Sequence, residues 1–372
     1  MINMDDVISQ AIIKKASDIH LTRDVKPIFR INRELIEMSE AETITEEDLY
    51  GIYAYFIKGN EGLEEAFSRD KKLDLNFEFK GARLRINISS SNGIPVFTAR
   101  IINDVLPKFK DLNLPDVVRK TALLPQGLIL VTGKSNSGKS TTLNALVNEI
   151  NQTENKKILM LEKPIEYVHN SKKSLIVQKE VGEGRDCLSF GEGATNALRE
   201  DCDIVVIGEI RDKSTIDAAI ELAEAGHLVI GTMHTRSCSE TIDRILSFYD
   251  LSDQLVVKYI ISSVLKAVVT QRLIKGKNGE LRMVPEIMIV DDAISGLIRK
   301  DKFSRSEIED AIQTRMDRGS ISFMNSLANA INDGYISMEQ AKRQLDDKGI
   351  EDLNRILVQL REKRNIIFNN WK

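Results

Sequence analysis

Residues 133–140 read Gly133-Lys134-Ser135-Asn136-Ser137-Gly138-Lys139-Ser140, an unbroken G-x-x-x-x-G-K-S. Residue types in this spacing bind phosphate. Backbone amides of a glycine-rich loop wrap the phosphate oxygens, and the start of the following helix adds its positive dipole. Lys139 reaches the β- and γ-phosphates, and the Ser140 hydroxyl suits Mg²⁺. The motif works only between a strand and a helix. The apolar run of residues 128–131 precedes it, and Thr141-Thr142-Leu143-Asn144 continues from it. The chain is therefore expected to bind a nucleoside triphosphate with Mg²⁺ through residues 133–141.

Hydrolysis also needs acids to manage Mg²⁺ and water. Residues 203–209, Asp-Ile-Val-Val-Ile-Gly-Glu, read as a buried strand ending in Glu209. A second strand at 157–161 ends in Glu162-Lys163-Pro164-Ile165-Glu166. In a doubly wound sheet such ends share one ligand-binding edge. Glu162 and Glu166 therefore both approach the γ-phosphate if this strand neighbours the phosphate-loop strand, and one of them is a candidate base. His227 and His234 bracket a third apolar run at 228–233. A lone histidine is more often structural than catalytic, but His234 closes a strand at the same edge, where it can contact or sense the γ-phosphate.

The elements that must position these residues fall into four parts. Residues 1–103 combine helices at 5–15 and 45–57 with alternating strands at 73–79 and 83–88, an α+β domain. Residues 104–122, with prolines and mixed charge, read as an interdomain linker. From 123 to 290 short apolar runs alternate with helical stretches, as in a parallel sheet covered by helices. Residues 291–372 are mostly helical, with a capping-box start at Ser337 and one apolar helix face formed by Leu353, Ile356, Leu357 and Leu360. The tail from Leu360 mixes cations with apolar and aromatic residues; packing on the preceding helices is expected over docking at a membrane.

Composition narrows the classes. A net charge of −4 offers no global attraction for nucleic acid, and aromatic-rich basic stripes are absent, so no nucleic-acid partner is expected. Three cysteines without C-x-x-C spacing read as reduced thiols rather than a zinc site. The first residues lack a signal-peptide pattern and no apolar stretch is long enough to span a bilayer, so a cytoplasmic location is expected.

Taken in order, the motifs resemble the type II/IV secretion ATPase superfamily, and within it the type IV pilus retraction motors of twitching motility. The resemblance begins at residues 16–21 and runs to about Ala341. It rests on the phosphate loop, the acidic box ending at Glu166, residues 178–182, 197–201 and 208–212, and the histidine box at 226–235. It implies a hexameric ATPase whose RecA-like P-loop core works against a PAS-like N-terminal domain. It puts the catalytic base on Glu166, the Mg²⁺ and water-ordering acid on Glu209 and a conformational relay on His234. Arg83, Arg85 and Arg100 would face a neighbour's triphosphate. An inner-membrane pilus platform protein, and a paralogous pilus ATPase, are the implied partners, met at the cytoplasmic face of the inner membrane through peripheral contact only.

Departures from the pattern are specific. Lys134, Ser135 and Asn136 replace the usual Pro, Thr and Gly of the loop, and asparagine is the residue best suited to replace glycine at positive φ. Lys163 replaces an acid, and residues 293–300 keep the apolar frame of a retraction-motor segment but lose several polar members. The alternatives are an extension or type II secretion assembly ATPase, whose longer N-terminal region and four-cysteine insertion are not in this sequence, and an accessory ring subunit with weak turnover.

Overall fold

The computed structural model describes residues 2–369 apart from 33, 58, 103–105 and 183–184, with side chains described as far as Leu360 in the last helix. The expected domain boundary at 103/104 lies outside those described residues, as do the side chains of the tail beyond Leu360. The chain divides into two compact units, Met1–Val105 and Leu106–Lys372.

The first unit opens with α1 (Met4–Ile13), capped by the Asn3 side chain, which accepts from the amides of Asp5 and Asp6. Three short strands follow, β1 (Asp18–Leu21), β2 (Ile28–Ile31) and β3 (Glu34–Glu37). After α2 (Glu46–Ile57) and α3 (Glu61–Asp70) come β4 (Lys72–Phe79), β5 (Ala82–Ser91) and β6 (Ile94–Ile102). These strands form one six-stranded sheet, order β3-β2-β1-β6-β5-β4, with antiparallel neighbours. Period-two alternation sends Leu84, Ile86, Ile88, Phe97 and Ala99 to one face, where they pack with α1 and α2 residues such as Ile8, Leu49 and Ile52. The arginines between them take the other face.

The second unit contains α4 (Asp116–Thr121), β7 (Gly127–Gly133), α5 (Lys139–Thr153), β8 (Lys157–Glu162), β9 (Leu175–Glu180) and α6 (Phe190–Ala197). It continues through β10 (Ile204–Ile207), α7 (Lys213–Glu224), β11 (Leu228–Met233), α8 (Cys238–Leu246) and α9 (Gln254–Val264). A hairpin of β12 (Leu265–Lys275) and β13 (Leu281–Ile289) completes a seven-stranded sheet, order β13-β12-β7-β11-β10-β8-β9. All neighbours are parallel except β12 and β13. The strands are buried on both sides, which explains their unbroken apolar runs. Leu128 and Leu130 of β7 face the layer of α6–α9, and Ile129 faces the layer of α4 and α5.

Residues 106–122 of the expected linker belong to the second unit and pack on the side of α4 and α5. Phe109, Leu114, Val118 and Ala122 are buried against Ile129, Leu143 and Leu146. Prolines and charges dominate the segment's composition, but its spaced apolar residues decide where it packs. The helices α10 (Asp292–Arg299), α11 (Arg305–Thr314), α12 (Phe323–Asn332), α13 (Met338–Lys342) and α14 (Asp347–Asn369) end the chain. The expected capping box is present at Ser337 and Gln340. Leu353, Leu357, Phe323 and Leu327 form a separate core with Ile274 and Val284 of the hairpin.

Candidate functional site

The phosphate loop leaves β7 at its C-terminal end and enters α5, as the motif requires. Its backbone shows why these residue types are needed. Gly133 has φ 144°, and a Cβ there would lie 2.5 Å from Ser137 Oγ and 2.6 Å from the Gln271 carbonyl. Gly138 caps α5 with φ 90°. Asn136 sits at φ 60°, in the left-handed region that asparagine tolerates. Lys139 is buried, and its Nζ donates to the carbonyls of Gly133 and Lys134, each at 3.0 Å. Burial lowers its pKa, while the nearby carboxylates of Glu209 and Glu166 act in the opposite sense.

Two adjacent parallel strands deliver the next pair. Glu209 follows β10 and His234 follows β11, and Glu209 Oε1 lies 3.6 Å from His234 Nε2. The turn between them is fixed from below: Ile210 N donates to the Thr232 carbonyl at 2.8 Å, and the Thr232 hydroxyl donates to the Gly208 carbonyl. Burial and the Lys139 ammonium lower the His234 pKa against the pull of Glu209, which favours the neutral ring. His227 is elsewhere, with Nδ1 2.6 Å from the Cys202 carbonyl, a structural contact.

The acidic box departs from one expectation. β8 does not neighbour β7; β11 and β10 stand between them. Glu162 consequently turns inward, 5% exposed, and accepts a hydrogen bond from Gln178 Nε2 at 2.8 Å. Burial pushes its carboxyl up to about 7. Only Glu166, exposed on the irregular segment after β8, is in electrostatic reach of Lys139. The site thus gathers Lys139, Glu166, Glu209 and His234, with the loop residues Lys134, Ser135, Asn136, Ser137, Ser140 and Thr141 at its floor.

Arg83, Arg85 and Arg100 lie together in the first unit. Arg85 is paired in register with Arg100, and Arg100 with Asp18. Arg100 Nε donates to Asp18 Oδ1 at 2.9 Å, and Arg85 Nε lies 3.8 Å from Asp74 Oδ1. Asp18 itself is 4% exposed and also lies 3.8 Å from Arg30.

Several supporting residues stand outside the phosphate loop and the acidic and histidine boxes. Gln271 on β12 donates from Nε2 to Thr142 Oγ1 at 2.6 Å, beneath the phosphate loop. Its neighbour Arg272 donates to the Arg236 carbonyl at 3.3 Å and stacks over the Phe323 ring at 3.7 Å. Buried Asn144 and His169 form a chain with half-buried Gln178 between α5 and β9. Apart from Gln178, which opens the 178–182 motif, only contacts made through the fold mark these residues. Among the described residues no cluster of three or more His, Cys, Asp or Glu could hold a metal alone.

Comparison with known proteins finds clear relatives of the chain. Residues 1–288 match the family described as type II/IV secretion system protein. A twitching motility protein of Neisseria gonorrhoeae is 38% identical over 286 residues, 76% of this chain and 75% of that protein. The type IV pilus retraction ATPase PilT of Pseudomonas aeruginosa is 37% identical over 328 residues, 88% of this chain and 93% of that protein. The crystal structure of the pilus retraction motor PilT with bound ADP superposes with a TM-score of 0.85 at 34% identity, covering 95% of this chain and all of that one.

Proposed function

We propose a function from one premise: the chain belongs to the type II/IV secretion system protein family. It is an ATPase that powers type IV pilus retraction, the activity behind twitching motility. The observation that carries the catalytic reading is that the phosphate loop with buried Lys139 follows β7 at the sheet edge where Glu209 and His234, after β10 and β11, lie 3.6 Å apart.

ATP is held by the amides of residues 133–141 at the N-terminus of α5, where the helix dipole favours the triphosphate. Phosphate oxygens compete with the Gly133 and Lys134 carbonyls for the Lys139 ammonium. The Ser140 hydroxyl and the Glu209 carboxylate are hard oxygen donors that suit Mg²⁺, which supplies charge neutralisation on the phosphates when bound. Glu166 accepts the proton of the attacking water as the new P–O bond forms and the bond to the bridging oxygen breaks, releasing ADP and phosphate. Glu209 orders that water, and neutral His234 beside it senses the change in charge.

Arg83, Arg85 and Arg100 act on the triphosphate of a neighbouring copy in a homo-hexamer. A guanidinium is always charged and can bridge phosphate oxygens, which suits that role. The ring works on an inner-membrane pilus platform protein, together with a paralogous pilus ATPase, at the cytoplasmic face of the inner membrane. Among the described residues no helix is long and apolar enough to cross a membrane, which is consistent with peripheral contact.

Deleting the gene tests the direction of work. Excess pili that fail to retract are expected, with twitching restored by the wild-type gene and not by Glu166→Gln. Loss of surface pili would instead assign the chain to assembly.

A further inference from the structure

Glu166 stands on an irregular segment between β8 and β9. A base displaced by about an ångström loses on the order of 100-fold in rate, so something must fix this segment against the phosphate-loop helix. Three side chains do so, His169 and Asn144 buried and Gln178 half-buried. His169, 7% exposed, places Nε2 2.7 Å from Asn144 Oδ1 on α5. Asn144 donates from Nδ2 to the Ser140 carbonyl at 2.9 Å, so its Oδ1 accepts and His169 Nε2 carries the proton. Burial lowers the His169 pKa to about 4, which keeps the ring neutral, and its buried Nδ1 has no hydrogen-bond partner among the described residues.

From the other side, the His169 amide donates to Gln178 Oε1 on β9 at 2.8 Å. Gln178 Nε2 donates to the Tyr167 carbonyl at 2.7 Å and to Glu162 Oε1 at 2.8 Å. Residues 167–169 are thus clamped between α5 and the β8–β9 edge, directly after Glu166. The clamp ends on the carbonyl of Ser140, the residue whose hydroxyl faces the nucleotide chemistry.

We propose that His169 is a positioning residue: through Asn144 it locks the segment bearing Glu166 to the phosphate-loop helix, so that the base and Ser140 move as one body. This rests on the reading of Glu166 as the base. It asks for a neutral Nε2–H donor at 169 rather than for bulk alone.

The test compares His169→Phe, which keeps volume and removes the donor, with His169→Gln, which restores an N–H donor. Steady-state ATP turnover, ATP-analogue titration and thermal melting are measured on the full chain. His169→Phe should lower kcat by about tenfold or more while the analogue affinity stays within about twofold, and His169→Gln should recover most of the rate. Wild-type kcat in the Phe variant overturns the proposal. So does a Gln variant as slow as Phe, or a joint fall of affinity and melting temperature. If His169→Phe does not fold, Gln178→Met carries the same comparison from the β9 side, with the same expected split. Glu166→Gln is assayed alongside. Full turnover there removes the base reading itself, whereas loss there with a normal His169→Phe removes only the positioning role.

Discussion

Glu209 Oε1 lies 3.6 Å from His234 Nε2, and the two residues end adjacent parallel strands of the same sheet. A carboxylate and a neutral imidazole at this separation, beyond direct hydrogen-bond range, can face a common water without either being buried, since their side chains are 35% and 45% exposed. Glu209→Gln should therefore keep nucleotide binding and lose turnover by on the order of 100-fold, the range for removal of one charge-stabilising group. Phosphate release and analogue titration measured together check it. Unchanged release would remove Glu209 from the chemistry.

Lys139→Ala should weaken nucleotide binding and abolish turnover, because it deletes the ammonium that now sits on the Gly133 and Lys134 carbonyls. Glu166→Gln should leave binding intact and abolish turnover. The two variants are separated by analogue affinity, and melting curves like that of the wild type exclude simple unfolding.

At position 136 the expected contrast is conformational. With φ at 60°, glycine fits without strain, whereas a β-branched residue pays about 1–2 kcal/mol in the left-handed region. Asn136→Gly should bind ATP roughly tenfold more tightly than Asn136→Val. Equal affinities would mean that the loop does not need this backbone geometry to hold phosphate.

The arginines can be tested by mixing copies. Arg100→Ala and Lys139→Ala should each be slow alone, yet regain turnover when mixed, because some interfaces then pair an intact loop with an intact arginine. No recovery would place the arginine's effect within its own copy. Asp18→Asn, which weakens the 2.9 Å hold on Arg100, should slow turnover less than Arg100→Ala.

Stability should depend on pH through Glu286 of β13. It is 7% exposed, and burial pushes its carboxyl from 4.5 up to about 7, against the Cys238 amide and Arg272, which favour the charged form. The folded chain thus binds this proton more tightly than the unfolded chain. The associated stability is fully present below about pH 4.5 and is lost as pH rises through about 7. Glu286→Gln should flatten the melting profile over that window by up to about 1.4 kcal/mol per pH unit relative to wild type. Parallel profiles would show that Glu286 titrates normally.

The phosphate loop is legible in the sequence because its work is done by backbone conformation, which Gly133, Asn136 and Gly138 encode locally. Glu209 and His234 are legible for a related reason: a buried strand must end somewhere, and its last polar residue marks the edge. The neighbourhood of Glu166 is not legible. Whether β8 lies beside β7 is a matter of strand order, which no short stretch of chain specifies, and two strands intervene. His169 and Asn144 escape notice because their meaning exists only as mutual contacts, and Gln178, though it opens one of the motifs, shows its role only through them. Residues 106–122 mislead through composition, since a few spaced apolar side chains outweigh the prolines and charges around them.

Gln271 and Arg272 are consecutive on β12, and a strand turns consecutive side chains to opposite faces. One grips Thr142 of the phosphate-loop helix; the other is stacked on Phe323 of the C-terminal helices and bonded to Arg236, two residues past His234. The nucleotide floor and the distal helices are therefore a single peptide unit apart. The contact that braces the phosphate-loop helix and the contact that anchors the C-terminal helices are thus held by one stretch of strand backbone.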